Sequence, residues 1–122
     1  MAKTILIVDD SASLRQVVSI ALKGAGYDVV EARDGQDALT KLNGQRIHLI
    51  ISDVNMPNMD GISFVREAKQ LPAYKFTPVI MLTTESQESK MAEGKAAGAK
   101  AWVVKPFQPA QMLDAVSKLI AP

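Results

Sequence analysis

Five short runs of β-branched and aliphatic residues recur along the chain, most of them followed by a segment of helical period. This alternation constrains the fold more than any other feature. The runs are Thr4–Val8, 27–31, 47–52, 78–82 and Ala101–Val104. Those beginning at Ile47 and Pro78 are nearly continuous in hydrophobic residues (Ile47, Leu49, Ile50, Ile51; Val79, Ile80, Met81, Leu82). Continuous runs predict strands buried on both faces, as in a parallel sheet covered by helices. Between the runs, Leu14, Val17, Val18, Ala21 and Leu22 repeat at helical spacing, with Ser11 or Ser13 as a cap and Gly24 or Gly26 as the stop. A shorter stripe, Ala38, Leu39 and Leu42, is closed by Asn43-Gly44. Ile62, Phe64, Val65 and Ala68 follow Asp60-Gly61 and end before Pro72. The last helical segment, 109–120, opens on a proline suited to an early helical position. Residues 87–98 differ, offering Met91 and alanines but no Leu, Ile, Val or aromatic residue, which predicts a helix weakly held by packing. Residues 73–77 read as a slightly extended loop. Five β–α units predict an α/β fold, a doubly wound (βα)5 three-layer sandwich on a five-stranded parallel sheet.

The 122 residues are expected to form one domain, 1–122, with apolar and charged shares of 48% and 22% that exclude disorder. Basic and acidic residues number 14 and 13, and a net charge of +1 argues against a dedicated nucleic-acid binder. The sequence has no cysteine and one histidine, His48, which excludes thiolate chemistry and multi-histidine metal sites. His48 reads as structural. The opening apolar run is too short for a secretory signal or a membrane span. The expectation is a cytoplasmic monomer with no membrane and no nucleic-acid partner. Carboxylates, hydroxyls and lysines are left to carry the chemistry.

Ligands of an open parallel sheet gather at the carboxyl ends of its strands. The first run ends in Asp9-Asp10, the third in Asp53 followed by Val54-Asn55, the fourth in Thr83-Thr84 and the fifth in Lys105-Pro106. Taken singly, such acids cap helices and a Lys-Pro makes a turn. Together they converge on one edge. Adjacent carboxylates repel, and a hard divalent cation such as Mg²⁺ relieves that repulsion. A carboxylate beside the metal can attack phosphorus, with the metal and a lysine neutralising the phosphoryl oxygens.

These residues resemble the response-regulator receiver domains, most closely the stand-alone chemotaxis receivers of the CheY type. The matching segments are Ile5-Leu6-Ile7-Val8-Asp9-Asp10, Ser52-Asp53-Val54-Asn55-Met56-Pro57-Asn58-Met59-Asp60-Gly61, Leu82-Thr83-Thr84, and Gly98-Ala99-Lys100-Ala101-Trp102-Val103-Val104-Lys105-Pro106-Phe107. The resemblance spans essentially the whole chain and supplies the flavodoxin-like strand order 2-1-3-4-5, which the spacing alone does not. It implies Asp53 as phosphoacceptor, with Asp9, Asp10, Asp53 and Asn55 around Mg²⁺. Thr83 becomes the switch hydroxyl and Lys105 the phosphate partner, with a cis Lys105-Pro106 peptide. Asn55 and Glu85 match positions that set the rate of phosphoryl loss.

One position departs from the family pattern. The switch aromatic is usually Tyr or Phe, and here it is Trp102. The indole serves either as a modified switch or as a partly covered surface anchor. The resemblance implies a single-domain response regulator, phosphorylated by a histidine kinase and changing its α4-β5-α5 surface to bind a partner. That partner is expected to be a flagellar motor switch protein, with a phosphatase as a further contact. A phosphate sink or phosphorelay intermediate is the alternative, and a Mg²⁺-dependent phosphohydrolase is a weaker one. The third-strand nucleophile and the short chain argue against the hydrolase. The expectation is therefore a phospho-accepting signalling protein, whose own chemistry is limited to self-phosphorylation and autodephosphorylation.

Overall fold

A computed structural model describes residues 2–84 and 90–121. The elements follow in strict alternation: β1 (Thr4–Val8), α1 (Ala12–Gly24), β2 (Asp28–Ala32), α2 (Gly35–Lys41), β3 (Leu49–Asp53), α3 (Gly61–Gln70), β4 (Val79–Thr83), α4 (Met91–Ala97), β5 (Ala101–Val104) and α5 (Pro109–Leu119). The strands form one parallel sheet in the order β2-β1-β3-β4-β5. No helix among the described residues is long and apolar enough to cross a membrane.

The pleat sends alternate side chains to opposite faces, so each strand feeds two cores. Ile5, Ile7, Leu49, Ile51, Ile80 and Leu82 pack with Val18 and Leu22 of α1 and with Met112 and Val116 of α5. On the other face, Leu6, Val8, Ile50, Val79 and Met81 meet Ala38 of α2, Phe64, Val65 and Ala68 of α3, and Ala97 of α4. Every residue of β3 and β4 is buried, as the unbroken apolar runs require. Polar side chains start the helices at defined points. Ser11, Asp34 and Asp60 accept the backbone N–H of Leu14, Asp37 and Ser63 at 3.2, 2.8 and 2.8 Å.

The structure moves several boundaries. Strand β2 lies one residue later than its hydrophobic run, because the pairing Val8↔Ala32 extends the ladder past Glu31. Strands β3 and β4 start later than their apolar runs, at Leu49 and Val79. Of the two candidate caps and stops for α1, Ser11 caps it, the helix ends at Gly24, and Gly26 takes the left-handed turn at φ 98°. The stretch read as loop before β4 begins within a single 3-10 turn, Pro72–Tyr74, anchored by a buried Tyr74. Helix α4 is short and lacks a side-chain cap at Lys90, while residues 85–89 lie outside the described chain.

Candidate functional site

Strand register decides which side chains meet at the sheet edge. Val8 pairs with Ser52, so the next residues, Asp9 and Asp53, stand side by side. Thr83 pairs with Val104, so Lys105 follows directly beyond it. The Lys105 N–H donates to the Thr83 carbonyl at 2.6 Å, which carries the pairing one residue past the strands. The Lys105–Pro106 peptide is cis.

Asp9 is fully buried. Its Oδ1 accepts the Ser11 N–H at 2.8 Å, and its Oδ2 faces the Lys105 ammonium at 2.9 Å. Asp53 has Oδ1 on the Val54 N–H at 2.9 Å and Oδ2 at 3.2 Å from the same ammonium. Asp10 is exposed, and carboxylate oxygens of Asp9, Asp10 and Asp53 all lie within 4.8 Å of one another. One ammonium therefore contacts two carboxylates of a cluster of three.

The titration behaviour follows from that imbalance. Burial raises the Asp53 pKa, and the Asp9 charge raises it further, against the opposing pull of Lys105. For Lys105, burial opposes the charged form, but its hydrogen bond to Asp9 and the charges of Asp53 and Asp9 prevail, so its pKa is raised. An ionised Asp53 is thus undercompensated by protein groups alone. A hard divalent cation fits this donor set, because oxygen ligands and surplus negative charge are what it demands.

Thr83 is buried at the end of β4, and Asn55 is exposed two residues beyond Asp53. Glu85 lies outside the described residues. Trp102 is half-buried in β5 and packs on the core face that carries α2, α3 and α4. Its Nε1 is buried and finds no hydrogen-bond partner among the described residues. His48 stands at the opposite end of the sheet, where Nδ1 accepts the Thr4 N–H at 3.0 Å.

Three supporting residues were given no role by the sequence reading. Arg15 donates from Nη1 to the Asp9 carbonyl at 2.5 Å and from Nε to Glu31 at 3.2 Å, tying α1 to the β1 and β2 ends. Asn58, at φ 69°, donates from Nδ2 to Asp34 at 2.8 Å and fixes the loop after β3. The Asn-Met-Asp-Gly stretch was the available signal, since Asn tolerates the left-handed turn. Gly61 brings α3 against β3 so closely that an added Cβ would sit 1.9 Å from the Asp53 carbonyl oxygen. Beside Lys105, an apolar cleft of about 540 Å³ opens between α1 and the start of α5, lined by Leu14, Val17, Phe107 and Met112.

Residues 5–117 match the family model of the response regulator receiver domain. The chain is 39% identical over 121 residues to the chemotaxis protein CheY of Bacillus subtilis, covering 98% of this chain and 99% of that one. It is 35% identical to the protein PilG of Pseudomonas aeruginosa over 92% of this chain and 83% of PilG. Among solved structures, the chemotaxis response regulator CheY4 of Vibrio cholerae superposes with a TM-score of 0.93 at 48% identity, covering 98% of this chain and all of CheY4.

Proposed function

Because the chain belongs to the response regulator receiver family, we propose that it takes a phosphoryl group from a histidine kinase onto Asp53 and signals by docking a partner. The observation that carries this reading is the single ammonium of Lys105, shared between Asp9 at 2.9 Å and Asp53 at 3.2 Å beside the exposed Asp10. Asp9, Asp10 and Asp53, with the Asn55 carbonyl, would hold Mg²⁺, which supplies charge neutralisation at the phosphoryl oxygens. Asp53 is the nucleophile. Lys105 is placed to receive a phosphoryl oxygen, at the cost of loosening its grip on Asp9. Thr83, adjoining Lys105 through the backbone, is the hydroxyl that senses the new group. The apolar cleft beside Lys105 offers the kinase a surface next to the reacting carboxylate.

The output follows from the half-buried Trp102 and the short helix α4. A Thr83 hydroxyl drawn toward the phosphate changes the packing at the end of β4 beside β5, and the α4-β5-α5 surface changes its affinity for a partner. Similarity to chemotaxis proteins supports a chemotaxis setting, and the output we propose is flagellar motor control in the cytoplasm, with a phosphatase as a second contact. Asn55 and Glu85 set the lifetime of the signal; exchanging both alters the decay rate of labelled Asp53, and an unchanged decay removes that role. The deciding experiment is incubation with acetyl phosphate and Mg²⁺. One phosphoryl group per chain, abolished by Asp53→Asn, is expected. Many turnovers of an external phosphate ester would replace this reading with a phosphohydrolase.

A further inference from the structure

All five strands run the same way, so strand starts and helix ends gather at the pole opposite Asp53. Charge follows that geometry. Lys23, Lys41, Lys69 and Lys118 stand in the last turns of α1, α2, α3 and α5, where a cation complements the helix dipole. Lys3, Arg46, Lys75 and Lys100 lie in the segments leading into β1, β3, β4 and β5. Asp28, at the start of β2, opposes them, and Asp114 pairs with Lys118 at 3.1 Å. The net charge of +1 therefore conceals a molecule acidic at one end and basic at the other.

At the basic pole, the connections into β3 and β4 frame a groove of about 470 Å³ lined by Gln45, Arg46, His48, Tyr74, Phe76 and Pro78. Phe76 is 88% exposed, with the Lys75 ammonium 5.6 Å from its ring centroid. The backbone on either side is tied down. Tyr74 accepts the Gly44 N–H at 2.9 Å and donates to the Gln45 carbonyl at 2.8 Å, stapling one connection to the other. The Lys69 ammonium donates to the Thr77 carbonyl just beyond Phe76. The phenyl ring is thus presented outward by a rigid frame. A preformed groove loses little entropy on binding, and aromatic and Arg side chains dominate binding hot spots.

We propose that this groove docks an acidic segment of a protein partner bearing an apolar anchor residue. The anchor packs between Phe76 and Pro78, and flanking carboxylates meet the Arg46 guanidinium and the Lys75 ammonium. The basic pole speeds the encounter. A lipid surface or nucleic acid would use the charge, but a concave and partly apolar groove matches a side chain. The site lies across the full sheet from Asp53 and does not rest on the phosphoryl chemistry. Occupancy is independent of phosphorylation and leaves the α4-β5-α5 surface open, so one molecule can be held in place while it signals.

The test titrates the ¹⁵N-labelled chain with the hexapeptide Glu-Glu-Leu-Phe-Glu-Glu at low and high salt. Saturable amide shifts at Arg46, His48, Phe76 and Thr77 are expected, weaker at high salt. Phe76→Ser and Arg46→Glu should each reduce affinity about tenfold. Both variants should keep the wild-type circular dichroism spectrum and thermal unfolding midpoint, which shows that they are folded. The absence of saturable shifts overturns the proposal. So do shifts centred on Lys95, Lys100 and Trp102, equal binding of Gln-Gln-Leu-Phe-Gln-Gln, or variants that bind as the wild type does. Binding of phosphatidylglycerol vesicles or duplex DNA through Phe76, in place of the peptide, overturns it as well.

Discussion

Gly61→Ala tests the contact that fixes Asp53. A Cβ at Gly61 would lie 1.9 Å from the Asp53 carbonyl oxygen, 2.9 Å from its carbonyl carbon and 3.0 Å from the Ser52 hydroxyl. A nonbonded Cβ cannot approach backbone oxygen so closely, so α3 and the end of β3 must separate by roughly an ångström. The obstruction is backbone and cannot turn aside as a flexible side chain would. The Gly61 N–H also donates to the Val54 carbonyl at 2.8 Å, a bond the displacement stretches. Overpacking of this kind costs about 1–3 kcal/mol or more, and alanine's helix preference returns at most about 1 kcal/mol. We expect a net loss of about 2 kcal/mol, which lowers the midpoint of thermal unfolding by roughly 8 °C for a domain of this size. The same movement shifts Asp53 relative to Lys105, and an ångström of misplacement can cost about a hundredfold in rate. The assay pairs thermal unfolding, followed by circular dichroism, with the rate of Asp53 labelling by acetyl phosphate. Gly24→Ala is the internal control. Among the described residues, no atom beyond its chain neighbours and its own helix backbone lies within 4 Å of its added Cβ, and its helical backbone suits alanine, so it should stabilise by about 0.5 kcal/mol. If Gly61→Ala melts and labels as the wild type does, the close approach does not position Asp53.

Three further outcomes follow from the site. Mg²⁺ should stabilise the fold by about 2.7 kcal/mol at a hundredfold excess over its Kd, with a smaller gain in Asp10→Asn; an unmoved melting temperature would refute the acidic cluster as a cation site. In chelator, the raised pKa of Asp53 gives a definite sign. Its burial, and then the Asp9 charge, favour the protonated form in the folded state, so its contribution is full at low pH and lost as pH rises through the folded pKa. The stability of the wild type relative to Asp53→Asn should therefore decline from acid toward neutral pH, and a constant difference in unfolding midpoint contradicts the assignment. Trp102 is the only tryptophan, so its emission reports its own surroundings. Acetyl phosphate with Mg²⁺ should shift that emission in the wild type and not in Asp53→Asn; a wild-type spectrum that stays put rules out movement of the indole.

Much of this architecture is readable from residue order because strands buried on both faces leave an unbroken apolar signature. The runs at Leu49, Ile50, Ile51 and at Val79, Ile80, Met81, Leu82 mark the sheet centre, and the polar residues that close the strands stand at its carboxyl edge. Thr83 directly follows its run, Asp53 closes β3 one residue after the buried Ser52, and Asp9 and Lys105 directly follow β1 and β5. Edge strand β2 is less well marked, since Val29 and Val30 are half-buried between exposed Asp28 and Glu31. Contacts between remote segments leave no local pattern at all. Arg15 reaches Asp9 and Glu31, and Tyr74 reaches Gly44 and Gln45, for reasons that exist only once the chain has closed on itself. The Nε1 of Trp102, without a hydrogen-bond partner among the described residues, belongs to the same class, because a missing hydrogen bond has no sequence code.

The sheet also works as a partition. Leu22, Met112 and Val116 lie on one side of it, Phe64, Val65 and Ala68 on the other, and Asp9, Asp53, Thr83 and Lys105 hang from the rim where strands end. Substitutions in the two cores should be close to additive, since they are separated by a full layer of buried backbone. Solvent-facing helix positions such as Ile20 belong to neither core and lie off the rim. Helix surfaces can therefore be rewritten to address new partners while the strand-end chemistry stays fixed, which separates the recipient of the message from the way it is written.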